Sequence, residues 1–149
     1  MATTKREAIL AELLLRLSAI TIAHGYATDA GDQVFLGESP QLGEYDPSQG
    51  LALVVEDDEV NSKGYVFITL PIAVQALAKA DLDTPWLAIE AILGDVKRAI
   101  ELEDRTLGGL LKSELRRGST RTLAREPGST TVGAGITYRC EYVESWGNP

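Results

Sequence analysis

Apolar residues fall at every second position from Val66 to Val74, with Val66, Ile68, Leu70, Ile72 and Val74 on one face, the pattern of a strand with one buried side. Just downstream the period changes. Trp86, Ile89, Leu93, Val96 and Ile100 recur in steps of three and four, predicting a helix whose core-facing stripe is headed by Trp86. Thr84-Pro85 opens that helix, with Pro85 at the first helical position, where its missing N–H costs nothing. The helix fades in Glu101-Leu102-Glu103-Asp104, and Gly108-Gly109 ensures a break.

A second helix is predicted at the N-terminus. Thr4-Lys5-Arg6-Glu7 has the spacing of a capping box, and Leu10, Leu13, Leu14, Leu17 and Ile20 follow on one face. Glu12 and Arg16 stand four apart outside that face, and the helix is expected to end before Gly25. Val34-Phe35-Leu36 is a short apolar island, predicted to be a strand, ahead of an extended loop near residues 37–50 that contains Pro40 and Pro47. Leu51 to Val55 is wholly apolar, as in a strand buried on both faces. Glu56 to Glu59 and Asn61 to Gly64 then turn the chain into the long alternating strand. Ser113 to Leu123 is a further strand, and Glu126-Pro127-Gly128-Ser129 fits a type II turn. The last strand sets Ile136, Tyr138, Cys140 and Tyr142 against Thr137, Arg139 and Glu141. The expectation is one α+β domain over residues 1–149: an antiparallel sheet, its strands up to the long alternating one forming a meander, with two main helices packed on it and a C-terminal contact tail near 144–149.

Charge changes the picture. Fourteen Lys and Arg against twenty-two Asp and Glu leave a net charge of −8 over 149 residues, which argues against free nucleic acid as the main partner. Lys112, Arg116, Arg117, Arg121 and Arg125 nevertheless form a basic ribbon interrupted only by Glu114, a local +4 that leaves −12 elsewhere. Such a ribbon suits docking on the acidic surface of an identical neighbour, and it also suits a solvated hairpin. No apolar run reaches the ~18 residues a membrane span needs, and no signal-type apolar region follows the first residues, so first residence in a cytoplasm is expected.

Reactive chemistry is sparse. His24 is the only histidine and falls at a helix exit, where bonding a terminal carbonyl is the usual role. Cys140 is the only cysteine and lies on an inward strand face, so neither an internal disulfide nor a cysteine metal cluster is possible. Glu56, Asp57, Asp58 and Glu59 could offer oxygen ligands to a divalent ion, but they are consecutive and lack the alternating spacing of a calcium loop; a solvated turn is the simpler account. Gly133-Ala134-Gly135 precedes a strand instead of a helix and marks a bulge or a close backbone approach. Trp146, in the tail, is a candidate contact anchor. No catalytic residue, cofactor or metal site is expected.

The order of short phrases carries a resemblance. Gly25-Tyr26-Ala27-Thr28-Asp29-Ala30-Gly31 leads into Val34-Phe35-Leu36-Gly37, then Leu53-Val54-Val55-Glu56, then Thr84-Pro85-Trp86 through Ile92-Leu93-Gly94-Asp95-Val96-Lys97. Thr106-Leu107-Gly108-Gly109-Leu110 and Val132-Gly133-Ala134 come before Tyr138-Arg139-Cys140-Glu141-Tyr142. This layout resembles the small tail terminator (tail completion) proteins of long-tailed bacteriophages and related prophages. The resemblance implies a non-catalytic virion protein that forms a ring, generally a hexamer. The ring caps the last tier of tail tube protein, stops tail polymerisation and offers a surface to the head–tail connector or stopper, while genomic DNA only passes through its lumen. It further implies assembly in the host cytoplasm, a final place at the head–tail junction, and no membrane. The 37–50 loop and the Trp146-Gly147-Asn148-Pro149 tail are unusual for that family and would be contact arms. Subunit-contact candidates are the five basic residues, the acidic run 56–59 and Trp146. The alternatives are another ring component of the same junction, a small metal-assisted enzyme using the acidic run, and a nucleic-acid-binding regulator using the ribbon.

Overall fold

The alternation that begins at Val66 continues to Lys79 and forms a 14-residue strand, β4 (Val66–Lys79). Its neighbour β6 (Thr131–Glu144) is equally long and pairs with it antiparallel along its whole length, from Val66↔Glu144 to Lys79↔Thr131. This register puts the even-numbered residues of both strands on one face, where Ile68, Leu70, Ile72 and Val74 meet Ile136, Tyr138, Cys140 and Tyr142, all buried. The computed structural model describes residues 3–37, 42–124 and 127–149.

Around this pair the sheet runs β1 (Val34–Leu36), β2 (Gln49–Val55), β4, β6 and β5 (Arg116–Thr122), while β3 (Glu59–Ser62) pairs with the first residues of β4. β2 and β3 thus share one side of β4: β2 covers Ile72–Ala78 and β3 covers Val66–Thr69. The α+β class holds, with two helices on a six-stranded sheet. The sheet departs from a meander in two places: β1 lies parallel to β2, and β6 enters between β4 and β5. A parallel pair needs a connection of about a dozen residues to bring the chain back to its starting end, and residues 37–48 supply that length. Within this connection Pro40 lies outside the described residues, and so does Glu126 of the predicted turn. The rest of that turn has Gly128 at φ +81, as type II geometry requires.

Helix α1 (Lys5–Ser18) begins with the predicted capping box: the Glu7 N–H donates to Thr4 Oγ1 at 3.0 Å and the Thr4 N–H donates to Glu7 Oε2 at 3.1 Å. Its buried stripe is Ile9, Leu13 and Leu17, one residue round from the expected centre, so Leu10 and Leu14 are only half-buried. α1 stops at Ser18; Gly25, at φ +91, closes the short turn Ile22–His24 that follows. Helix α2 (Pro85–Glu101) buries Ile89, Ile92, Leu93, Val96 and Ile100 against β4 and β6. Trp86 does not head this stripe. It is 45% exposed, because the first turn of α2 precedes the point at which the helix meets the sheet, and Ile89 is the first residue buried.

Polar ties hold the irregular segments to this frame. Arg16 donates to the carbonyls of Ile100 (3.2 Å), Glu103 (3.1 Å) and Asp104 (2.9 Å), capping the exposed end of α2 while its Nε stays paired with Glu12. Gly31 donates to the Ile20 carbonyl at 2.8 Å, and a Cβ there would stand 2.5 Å from the Leu17 carbonyl oxygen, so only glycine permits the approach. Asp95, fully buried on α2, accepts from the Ala27 N–H (3.1 Å), the Thr28 N–H (2.8 Å), the Thr28 hydroxyl (2.7 Å) and Arg98 (2.5 Å). Burial by itself would raise the Asp95 carboxyl, but the bonds from Arg98, Thr28 and Ala27 together hold it below the usual carboxylate value. The buried Tyr138 hydroxyl donates to Glu101 Oε2 at 2.8 Å, and the same oxygen sits 3.4 Å from Arg117 Nε, linking β6, α2 and β5.

Two outcomes follow from these ties. Replacing Asp95 by Ala strands the two amides and costs about 2–4 kcal/mol in urea unfolding at neutral pH. Because the folded-state value is depressed, the contribution of Asp95 is complete above the ordinary value of 3.8 and is lost as pH falls through the lower folded one. Asp95→Asn therefore starts less stable and shows a shallower acid limb; an unchanged acid limb would refute the assignment. Glu101→Ala leaves the Tyr138 hydroxyl buried without its acceptor and costs about 1–3 kcal/mol, more than Tyr138→Phe, which removes the donor itself. The two melting curves give the order directly.

Candidate functional site

A sheet that does not close leaves two edges with unpaired backbone groups. Here the edges differ in charge. On one side β5 is exposed at all seven residues. The chain enters it along β6: the Lys112 N–H donates to the Glu141 carbonyl at 2.8 Å, the Leu115 N–H donates to the Arg105 carbonyl at 2.8 Å, and Leu111 and Leu115 are buried. Gly118 and Ser119 bulge opposite Thr137, where a Cβ on Gly118 would stand 3.2 Å from the Thr137 oxygen. Register sets the direction of each arginine. Arg116 opposes Arg139 and Arg121 opposes Gly135, on the sheet face away from the helices; Arg117 opposes Tyr138, on the helix face, beside Glu101. Lys112 belongs to a different cluster, with its ammonium 4.5 Å from the Phe67 ring centroid. Arg125 lies outside the described residues. The ribbon of the sequence is therefore three arginines on one edge and a lysine turned onto the sheet.

The acidic run occupies the opposite side. Glu56 still donates its N–H to the Pro71 carbonyl at 3.0 Å, Glu59 opens β3, and Asp57 and Asp58 span the gap between β2 and β3. Asp58 pairs with Arg6 of α1 at 3.4 Å. Among the described residues no three His, Cys, Asp or Glu side chains gather as a metal site would require. Glu56 and Arg121, from the two sides of the sheet, both border a cavity of about 140 Å³ floored by Ala73, Gln75, Gly135 and Thr137, where Gln75 Oε1 is buried without a hydrogen-bond partner. The glycine run has its close approach at Gly133, where a Cβ would meet Leu123 at 2.9 Å.

The remaining candidates are bonded locally, buried or outward. His24 Nδ1 lies 3.0 Å from the Ala19 carbonyl and 2.9 Å from the Thr21 hydroxyl, at the exit of α1. Cys140 is buried, and burial pushes its thiol up to about 12, leaving no thiolate for chemistry near neutrality. Trp146 is 67% exposed on a small turn closed by Ser145 and Asn148, while the Pro149 carbonyl accepts from the Lys5 N–H at 2.8 Å and ties the tail to α1. Tyr45 escaped the sequence reading. It is 96% exposed on a segment that Lys79 Nζ holds at the Asp46 carbonyl (2.7 Å), and an isolated aromatic in a Gly/Asp/Pro stretch was its only signal. No helix among the described residues is long and apolar enough to cross a membrane.

No known protein family matches the sequence, and no curated protein does. Solved structures do match. The core region of PilO from the type IV pilus system of Pseudomonas aeruginosa aligns over 62% of this chain and 79% of its own, at 14% identity and a TM-score of 0.27, too low to bear on the fold. A chain from the virion of a native gene transfer agent particle aligns over 96% of this chain and 100% of its own, at 14% identity and a TM-score of 0.55. The likeness is one of fold, and it runs the whole length of the partner: this chain has the α+β fold of a virion component.

Proposed function

We propose that the chain is a structural protein of a phage-like virion that assembles into a ring, capping the tail tube and presenting a docking surface to the head connector. The observation that carries this reading is the end-to-end match in fold to a chain of the gene transfer agent virion. The alignment covers 96% of this chain and all of the virion chain, which supports reading the two as equivalent whole components. The side-chain inventory agrees with it: the one thiol is buried, the one histidine bonds a carbonyl at a helix exit, and one sheet edge, β5, is exposed along its length with three arginines. The ring would comprise six copies, with the tail tube protein on one side, the connector or stopper on the other, and DNA passing through its centre. An acidic chain of net charge −8 would repel that DNA and so avoid holding it.

The test is assembly. Native mass spectrometry of the purified chain, alone and with its tube protein, should give a species of six times the 16.0 kDa subunit mass, and negative-stain images should show rings with an open centre. Added to growing tubes, the protein should arrest their elongation. A ring that binds the connector but leaves tube growth unaffected would assign the chain to a neighbouring position in the junction. A chain that stays monomeric in both conditions would end the ring reading.

A further inference from the structure

We infer that neighbouring copies of this chain join edge to edge, with β5 of one copy lying antiparallel against residues 56–62 of the next, so that one sheet continues from subunit to subunit. The inference rests on the ring reading and names the contact that would build it.

Length is the first argument. β1 flanks β2 only at Leu51–Leu53, so the run from Glu56 to Ser62 has nothing on its outer side among the described residues. That run is seven residues long, and so is β5. On β5 the outward groups are available as well. Leu123 donates its N–H inward to the Gly133 carbonyl at 3.0 Å, and alternation along an antiparallel strand then turns the N–H and C=O of Thr120 and Thr122 outward.

Polarity is the second. β3 and β6 run opposite to β4, and β5 runs with it. In a ring whose axis lies along the strands every copy points the same way, so β5 meets the next copy's 56–62 run antiparallel without any reversal.

Charge decides between partners. β5 carries Arg116, Arg117 and Arg121 and no acid, whereas Glu56, Asp57, Asp58 and Glu59 carry four negative charges. Two copies of β5 joined by a twofold axis would face arginine with arginine, and two acidic runs would repel in the same way. Only the unlike pair attracts. Laid antiparallel in equal lengths, the two runs bring Arg121 opposite Asp57. Among the described residues neither has an ion pair within its own chain, whereas Arg117 is engaged by Glu101 and Asp58 by Arg6. Such a join is heterologous, which is the kind of contact that closes into rings. The bulge and the shortness of β3 keep either edge from pairing indiscriminately.

Charge reversal tests it in the full chain. Arg121→Asp and Asp57→Arg should each raise the concentration needed for assembly by about tenfold or more, and the two together in one chain should restore it. Both positions are exposed, so melting temperatures should hold. A second measurement keeps the native charges. Thr120→Cys and Val60→Cys chains, mixed and treated with a bis-maleimide, should cross-link to one another and not to themselves, with buried Cys140 silent. Self-cross-linking of Thr120→Cys would overturn the inference in favour of a twofold contact. Rings that survive both single reversals and give no mixed cross-link would overturn the contact while leaving the ring reading intact. A wild-type chain that never assembles would overturn both.

Discussion

The β4–β6 ladder is the constraint on which the rest of the molecule depends. Fourteen consecutive pairs lock two strands at a single register, and a slip of one residue would send every buried side chain to the opposite face. The even face is apolar from Val66 to Ala78 and from Val132 to Tyr142, so α1 and α2 have one continuous surface to cover. The odd face is mixed, with Thr69, Gln75, Thr137 and Arg139 beside Phe67 and Leu77, and a small second cluster of Leu42, Ala52, Leu77 and Phe35 covers part of it. Everything else hangs on this pair: β2 and β3 share one flank of β4, and β5 follows β6.

Apolar packing positions the helices, but it does not explain how the connecting segments stay in place. They are held by backbone groups that find partners on distant side chains. Arg16 closes the end of α2, Asp95 gathers the amides of Ala27 and Thr28, and Gly31 lies against the end of α1 because it lacks a Cβ. At Asp95 the tie satisfies polar groups that burial would otherwise leave at a cost of about 1–3 kcal/mol apiece. The Tyr138–Glu101–Arg117 chain does the same at the base of β5, so the exposed strand is anchored through the core.

The single cysteine and the single histidine both serve the fold, with Cys140 in the core and His24 on a carbonyl. Exposed side chains include the arginines of β5, apolar residues such as Leu15, Leu87 and Leu102, and the rings of Tyr45 and Trp146. The fold is shared with a component of a gene transfer agent virion.

By itself the sequence determined the features that depend on neighbours a few residues apart. The alternation of β4, the periodicity of α2, the capping box at Thr4, Pro85 at a helix start and the Pro127-Gly128 turn all reappear in the structure, because backbone sterics and local periodicity act within one element. What only the tertiary structure decided involves contacts between distant segments. The parallel placement of β1, the exposure of Trp86 and the one-residue rotation of the α1 stripe depend on where the sheet ends beneath them. The sequence showed a basic ribbon, but register on β6 decided that Arg116 and Arg121 face away from the helices while Arg117 turns to Glu101. Asp95 and Thr28 stand 67 residues apart, and no local pattern announces such a pair. Periodicity shows which face of an element is apolar; only the packed chain determines what that face meets.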